Sequence, residues 1–265
     1  MRELNRIELR VAKCSLIVCL VLFHATTQLA GQVNIEALRT EHTDSGFVGS
    51  MGADLTLRTG NVELIKLKAN ARLEHIGESA TWLLLTQGDL GFVGGERFSN
   101  DGLLHIRHGM VVTSIVTLEG FAQVNYDRAR LLKFRGIAGA GPRLYLVSDQ
   151  GQGFSLGAAY MYEHEVLDLP ATAIHPLKSE VHRASFYGVA KLSAGPRVVF
   201  ASTTYFQPRL DEFEDMRVLN NTGMAIAVSG RISLVLRFNL RYDSRPPDGV
   251  AGLDTELTNG LSIRF

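Results

Sequence analysis

Only two cysteines occur in the 265 residues, Cys14 and Cys19, and both sit near the start. The rest of the chain therefore offers no disulfide, no thiolate metal site and no thiol nucleophile. Proline is scarce at 7 residues and charged residues reach only 20%, which excludes a disordered chain. Neither charge dominates: 27 Lys and Arg stand against 27 Asp and Glu, so there is no strong field to steer a nucleic acid. Beyond residue 31 no apolar run approaches the roughly twenty residues of a membrane-spanning helix.

What is present begins with an export layout. Arg2, Arg6, Arg10 and Lys13 precede an uncharged run from Cys14 to Phe23, and a small or polar stretch from Ala25 to Gln32 follows. The apolar core is about half a spanning helix, as in a secretory signal. Residues 1–31 are read as that signal, with cleavage after Ala30 or Gly31, and residues 32–45 as a periplasmic segment. Cys19 follows Val18, which is not the small residue a lipoprotein signal needs.

From there the governing period is two. Ile232, Leu234, Leu236, Phe238, Leu240 and Tyr242 alternate with Ser233, Val235, Arg237, Asn239, Arg241 and Asp243. Ile65, Leu67, Ala69, Ala71 and Leu73 alternate with Lys66, Lys68, Asn70, Arg72 and Glu74, and Leu257, Leu261, Ile263 and Phe265 continue the pattern at the end. Successive side chains of a strand point to opposite faces, so each such strand has an oily face and a polar one. Breaks rich in Gly, Pro, Asn, Asp and Ser divide residues 46–265 into about twelve segments. Connections after even segments are short; those at 94–101, 166–181, 208–215 and 243–252 are longer and polar, while Thr59-Gly60-Asn61 is tight.

Two architectures alternate in this way. In a soluble sandwich the oily face packs a core and the polar face meets water. In a transmembrane antiparallel up-and-down β-barrel of about twelve strands, the oily face meets lipid, and short turns and long loops segregate to opposite rims. The polar phase here mixes Arg, Glu, Asn and Gly, as a packed polar interior would, and Phe265 closes the chain in the oily phase. The barrel is therefore expected, in the outer membrane.

An ordered set of short motifs points the same way. His105-Ile106-Arg107, Glu119-Gly120-Phe121-Ala122-Gln123, Arg135-Gly136, Gly139-Ala140-Gly141-Pro142-Arg143 and Met161-Tyr162-Glu163-His164-Glu165 form its first half. Arg183 with Ser185, Thr203-Thr204-Tyr205-Phe206-Gln207-Pro208, Asp215 with Arg217, and Leu257-Thr258-Asn259-Gly260-Leu261 complete it. From about Asn34 onward the chain resembles the domain-of-unknown-function 481 family, described as salt-induced outer-membrane proteins. The resemblance implies a signal-bearing outer-membrane β-barrel, and it carries over no substrate and no catalytic residue.

The inward phase supplies the candidate site: His105, Arg107, Glu119, Gln123, Arg135, Arg143, Glu163, Arg183, Arg217, Arg237 and Arg241. Charges enclosed in a barrel must be paired or hydrated, which makes this set either an Arg/Glu network filling the interior or the lining of an anion-favouring passage. Catalysis would need an activated hydroxyl on the outer wall. The candidates are His108 with Ser114, or His164 and His182, and none has triad-like spacing. No metal site and no cofactor are expected; the loop holding Asp168, His175 and Glu180 has irregular spacing. Expected partners are outer-membrane lipid, lipopolysaccharide, small solutes or ions, and the barrel-assembly machinery through Phe265. The reading is a structural or pore-type envelope protein without chemistry of its own; the alternatives are a barrel enzyme acting on envelope lipids and a soluble periplasmic β-sandwich that binds a ligand.

Overall fold

The computed structural model describes residues 45–149, 152–195, 197–229 and 232–263. The expected signal, nearly all of the expected periplasmic segment, Arg264 and Phe265 lie outside the described residues. Twelve strands follow one another: β1 (Gly46–Arg58), β2 (Leu64–Ile76), β3 (Ala80–Val93), β4 (Glu96–Thr113), β5 (Val116–Asp127), β6 (Leu132–Asp149), β7 (Gln152–Leu167), β8 (Lys178–Ala194), β9 (Val198–Pro208), β10 (Met216–Ala227), β11 (Ile232–Asp243) and β12 (Leu253–Ile263). At 11 to 18 residues, every strand can cross a hydrocarbon layer that needs about 9–11 tilted residues. Among the described residues no helix is long and apolar enough to do so.

The strands form one antiparallel meander in sequence order. Directly paired residues share a face, so the register fixes which phase is which. Leu84 opposite Ile106, Ile106 opposite Ala122 and Phe186 opposite Phe206 belong to the outer face. Leu85 opposite His105, His105 opposite Gln123 and Arg135 opposite Glu165 belong to the inner one. The burial pattern agrees: Leu84, Ile106, Leu118, Phe134 and Phe186 are exposed, whereas His105, Arg107, Glu119, Glu163 and Arg183 are buried.

Side chains from distant strands meet on the polar face, so the sheet is rolled around it. Tyr187 of β8 reaches Glu119 of β5, Arg217 of β10 reaches Glu163 of β7, and Arg130, after β5, reaches Asp254 of β12. The strand register is sheared so that bringing β12 flush with β1 corresponds to an offset of roughly a dozen residues, as a tilted barrel requires. No ladder joins β1 to β12 among the described residues, and these two strands flank a seam.

Connections between even strands and their successors are short, and three long loops, 168–177, 209–215 and 244–252, share the other rim. One expected long connection is overturned: β3 and β4 are joined by Gly94 and Gly95 alone. Both have positive φ (57° and 82°), the conformation a two-residue hairpin turn requires. The polar residues that resemble a loop, Glu96 to Asp101, already belong to β4, where Ser99 donates to Asp89 at 2.9 Å. After β5 the chain makes one 3-10 turn, Arg128–Arg130, capped by Asp127, which accepts from the Ala129 N–H at 3.0 Å.

Candidate functional site

The interior is organised around two carboxylates. Glu163, central to the half of β7 nearest the long loops, has no exposed surface. Arg135 of β6 donates to it, Arg183 of β8 lies 3.3 Å away through Nε, and Arg217 Nη1 lies 2.7 and 2.8 Å from its two oxygens. Three guanidiniums around one carboxylate would repel, and further acids offset them. Arg183 donates to Asp215 at 3.0 Å, and Arg217 donates to Glu165 at 2.9 Å and Asp243 at 2.8 Å. Arg183 also donates to the backbone carbonyls of Gln207 and Asp215, both at 3.2 Å. The planar fork of arginine suits it to hold several acceptors at once.

Toward the short turns, Glu119 of β5 is the second centre. Tyr187 Oη donates to it at 2.6 Å, Arg107 Nη1 at 3.2 Å, and Arg143 Nη1 lies 3.7 Å away. Arg143 also donates to Ser155 at 3.0 Å and lies over the rings of Tyr145 and Tyr187. The Tyr187 ring occupies space beside Gly157 that any Cβ there would enter, 2.1 Å from ring carbons. His105 Nδ1 meets Gln123 at 3.1 Å, and Gln123 donates to Asn125 at 3.2 Å. The cavity left among these side chains is only about 40 Å³, lined by His105, Arg107, Glu119, Ser185, Tyr187 and Gln207. That is room for one or two water molecules.

A roof closes the long-loop rim. In the 244–252 loop, Asp248 accepts from the backbone N–H groups of Ile174 (2.6 Å) and His175 (3.0 Å) in the 168–177 loop. These two N–H groups, that of His175 first, hold the Asp248 carboxyl below the usual carboxylate range. Arg245 pairs with Glu212 of the third long loop, where Asp211 is likewise held low by Arg209. Beneath the roof, Pro246, Pro247 and Val250 cover a second cavity of about 40 Å³ whose floor includes Arg130, Arg217 and Arg241.

Ten of the eleven inward candidates thus line or join these clusters. Arg135, Glu163, Arg183 and Arg217 form one, Arg107, Glu119 and Arg143 another, His105 and Gln123 flank the second, and Arg241 lies under the roof. Arg237 stands apart, exposed and in no ion pair among the described residues. The inward set missed Glu165, Asp215, Asp243, Ser185, Gln207 and Tyr187. Carrying the two-residue alternation to the strand ends finds Glu165, Gln207 and Asp243. Tyr187 is hidden because an aromatic in the polar phase reads as a break in the pattern.

The histidines considered for catalysis lie on the outer wall. His108 rests on Trp82 with ring centroids 4.2 Å apart, His164 lies 3.3 Å from Glu180, and His182 meets Tyr160 Oη at 2.5 Å. None of them contacts a serine or threonine hydroxyl among the described residues, and no three metal-ligating side chains converge there.

Comparison with known proteins adds a family. Residues 51–265 match the family described as protein of unknown function, DUF481. No curated protein matches the sequence. Among solved structures, the NanC porin is similar at 10% identity and a TM-score of 0.46, over 83% of this chain and 99% of its own. The translocator domain of the autotransporter NalP from Neisseria meningitidis is similar at 12% identity and a TM-score of 0.41, over 85% of this chain and 90% of its own.

Proposed function

This chain belongs to the DUF481 family, and on that premise and the geometry above we propose that it is an exported outer-membrane β-barrel with a sealed interior, a structural component of the envelope. The observation that carries this reading is the Glu163 cluster, in which charges from β6, β7, β8 and β10 pair with one another and fill the interior beside that wall. The outer wall supports membrane embedding: Leu84, Leu104, Ile106, Leu118, Phe134, Leu144, Leu156 and Phe186 are all exposed on the face away from that network. In water so large an apolar surface is a liability, while in hydrocarbon it is matched. The loops add a second closure above the charges, through Asp248 and Arg245.

Recording from the purified protein in planar bilayers tests the seal. The folded protein is expected to give no persistent conductance at neutral pH, and the double variant Arg217→Ala with Glu163→Ala is expected to leak small ions. Stable open channels in the unaltered protein would favour the pore-type reading instead.

A further inference from the structure

The outward face of β9 and β10 breaks its own pattern at mid-strand. Val198, Phe200, Phe206 and Pro208 of β9 and Met216, Val218, Met224 and Ile226 of β10 are apolar, as a lipid-facing wall requires. Between them, Ser202 and Thr204 stand opposite Thr222 and Asn220, four polar side chains in the outward phase. Their neighbours fix that phase: Thr203, Tyr205 and Leu219, one residue away along the strands, are buried on the inner face. On β11 the residues opposite Asn220 and Thr222 are Leu240 and Phe238, and on β8 those opposite Thr204 and Ser202 are Gly188 and Ala190. A polar island, flanked by large apolar side chains on one side and by very small ones on the other, therefore lies halfway along both strands.

The four side chains bond to one another and leave one donor over. Asn220 Nδ2 donates to Thr204 Oγ1 at 2.8 Å and to Ser202 Oγ at 3.3 Å, and Thr222 Oγ1 donates to Asn220 Oδ1 at 2.9 Å. Ser202 and Thr222 share a further bond of 2.8 Å, in which Ser202 is the donor because the Thr222 proton is already placed. Thr204 Oγ1 only accepts; its own proton has no acceptor among the described residues, on a side chain that is exposed. In hydrocarbon an unpaired hydroxyl is costly. No lipid group relieves that cost at mid-depth, because the polar parts of a bilayer lie outside its hydrocarbon core. Another protein surface at the same level can supply the acceptor.

We propose that this island is the contact between two copies of the chain in the membrane, related by a twofold axis along the membrane normal. The inference rests on the outer wall facing lipid, as proposed above. A twofold axis in that direction keeps both copies at one depth and sets a patch against itself, so the polar island meets its equal and the apolar surround meets apolar surround. The island is self-complementary. Each copy offers the Thr204 proton and, in Asn220 Oδ1, an acceptor with one lone pair unused. Gly188 and Ala190 carry too little side chain to hold two walls apart, and small residues are what membrane-embedded contacts favour. Among the described residues no charged side chain stands in the outward phase of β9, β10 or β11, so nothing there repels its copy.

Sedimentation equilibrium in density-matched detergent tests the contact, because the micelle then adds nothing to the buoyant mass. The folded protein is expected to sediment as two chains at high protein-to-detergent ratio and to dissociate as detergent is added. Thr204→Val keeps the side chain's shape and removes the proton; it is expected to weaken association about tenfold, since two symmetry-related bonds are lost. Ala190→Trp sets a ring at the edge of the island and is expected to abolish association, whereas Ala122→Trp, outward on β5, is expected to leave it unchanged. The heat-modifiable band reports that each variant is folded. A single chain at every ratio, from protein that floats with lipid vesicles, would overturn the contact and leave membrane embedding intact. So would a dimer that Thr204→Val and Ala190→Trp both leave as tight as before, or one that Ala122→Trp disrupts equally. Protein that stays in solution without detergent and does not float with vesicles would overturn embedding and the contact together.

Discussion

At the scale of single residues, the protein depends on acids that hold several bases at once. Glu163 is the clearest case, because Arg135, Arg183 and Arg217 all lose part of their compensation if its charge is removed. Breaking a buried pair costs about 3–5 kcal/mol, since the remaining charge is left uncompensated. Glu163→Gln is therefore expected to lower unfolding stability by about that amount, read as a shift in the urea midpoint of the folded barrel in detergent. Asp248 acts at the surface and is sensitive to pH. Its carboxyl is held low by the His175 and Ile174 N–H groups, so its contribution is present above the ordinary carboxylate range and is lost as pH falls through the depressed value. The amide resonances of Ile174 and His175 are expected to titrate together below that range, and Asp248→Ala is expected to abolish the titration. Glu163 and Arg183 could be read from the sequence because phase alone places them inside. Asp215 and Asp248 could not, because loop residues have no phase, and only the folded rim brings them to their partners.

At the scale of elements, alternation and turn chemistry fix most of the fold. The β11 pattern from Ile232 to Asp243 appears in the structure as one outward and one inward face, and its outward Leu236 lies midway along the strand. Arginine at mid-depth on a lipid-facing wall costs about 2–4 kcal/mol, whereas an inward one is hydrated. Leu236→Arg is expected to impair assembly, measured as loss of the heat-modifiable folded band, and Ala225→Arg, on the inner face of β10, to leave it intact. The β3–β4 turn is hidden in the sequence because Glu96 to Asp101 have loop-like composition; two glycines suffice to turn the chain, and Asp101 is then buried on the inner face. The seam needs tertiary information of another kind. Unpaired amides in hydrocarbon cost several kcal/mol each, so β1 and β12 are expected to pair in the membrane. The register that places Arg58 opposite Asp254, Leu55 opposite Leu257 and Met51 opposite Leu261 avoids setting Asp54 against Glu256, as a shift of two residues would. Cysteines at Gly52 and Gly260 are expected to cross-link, and cysteines at Gly52 and Thr258 are not.

At the scale of the whole molecule, the two faces of one sheet answer different solvents. The inner face satisfies its charges with one another around Glu163 and Glu119 and leaves cavities of about 40 Å³, while the outer face leaves its large apolar side chains uncovered. A sandwich reverses this arrangement, hiding the oily face and wetting the polar one. Cysteine accessibility along β11 distinguishes the two most directly, because the only native cysteines, Cys14 and Cys19, precede the barrel. Single cysteines at positions 233 to 241 would be nitroxide-labelled before reconstitution in vesicles, and their relaxation by lipid-soluble oxygen compared with that by a water-soluble nickel complex. Labels at positions 234, 236, 238 and 240 are expected to be relaxed by oxygen and not by the nickel complex, and those at positions 233, 235, 237, 239 and 241 to show no such preference for oxygen. Even positions reached by neither agent, with the odd positions freely open to the nickel complex, would mean that the oily face packs a core and would contradict the barrel.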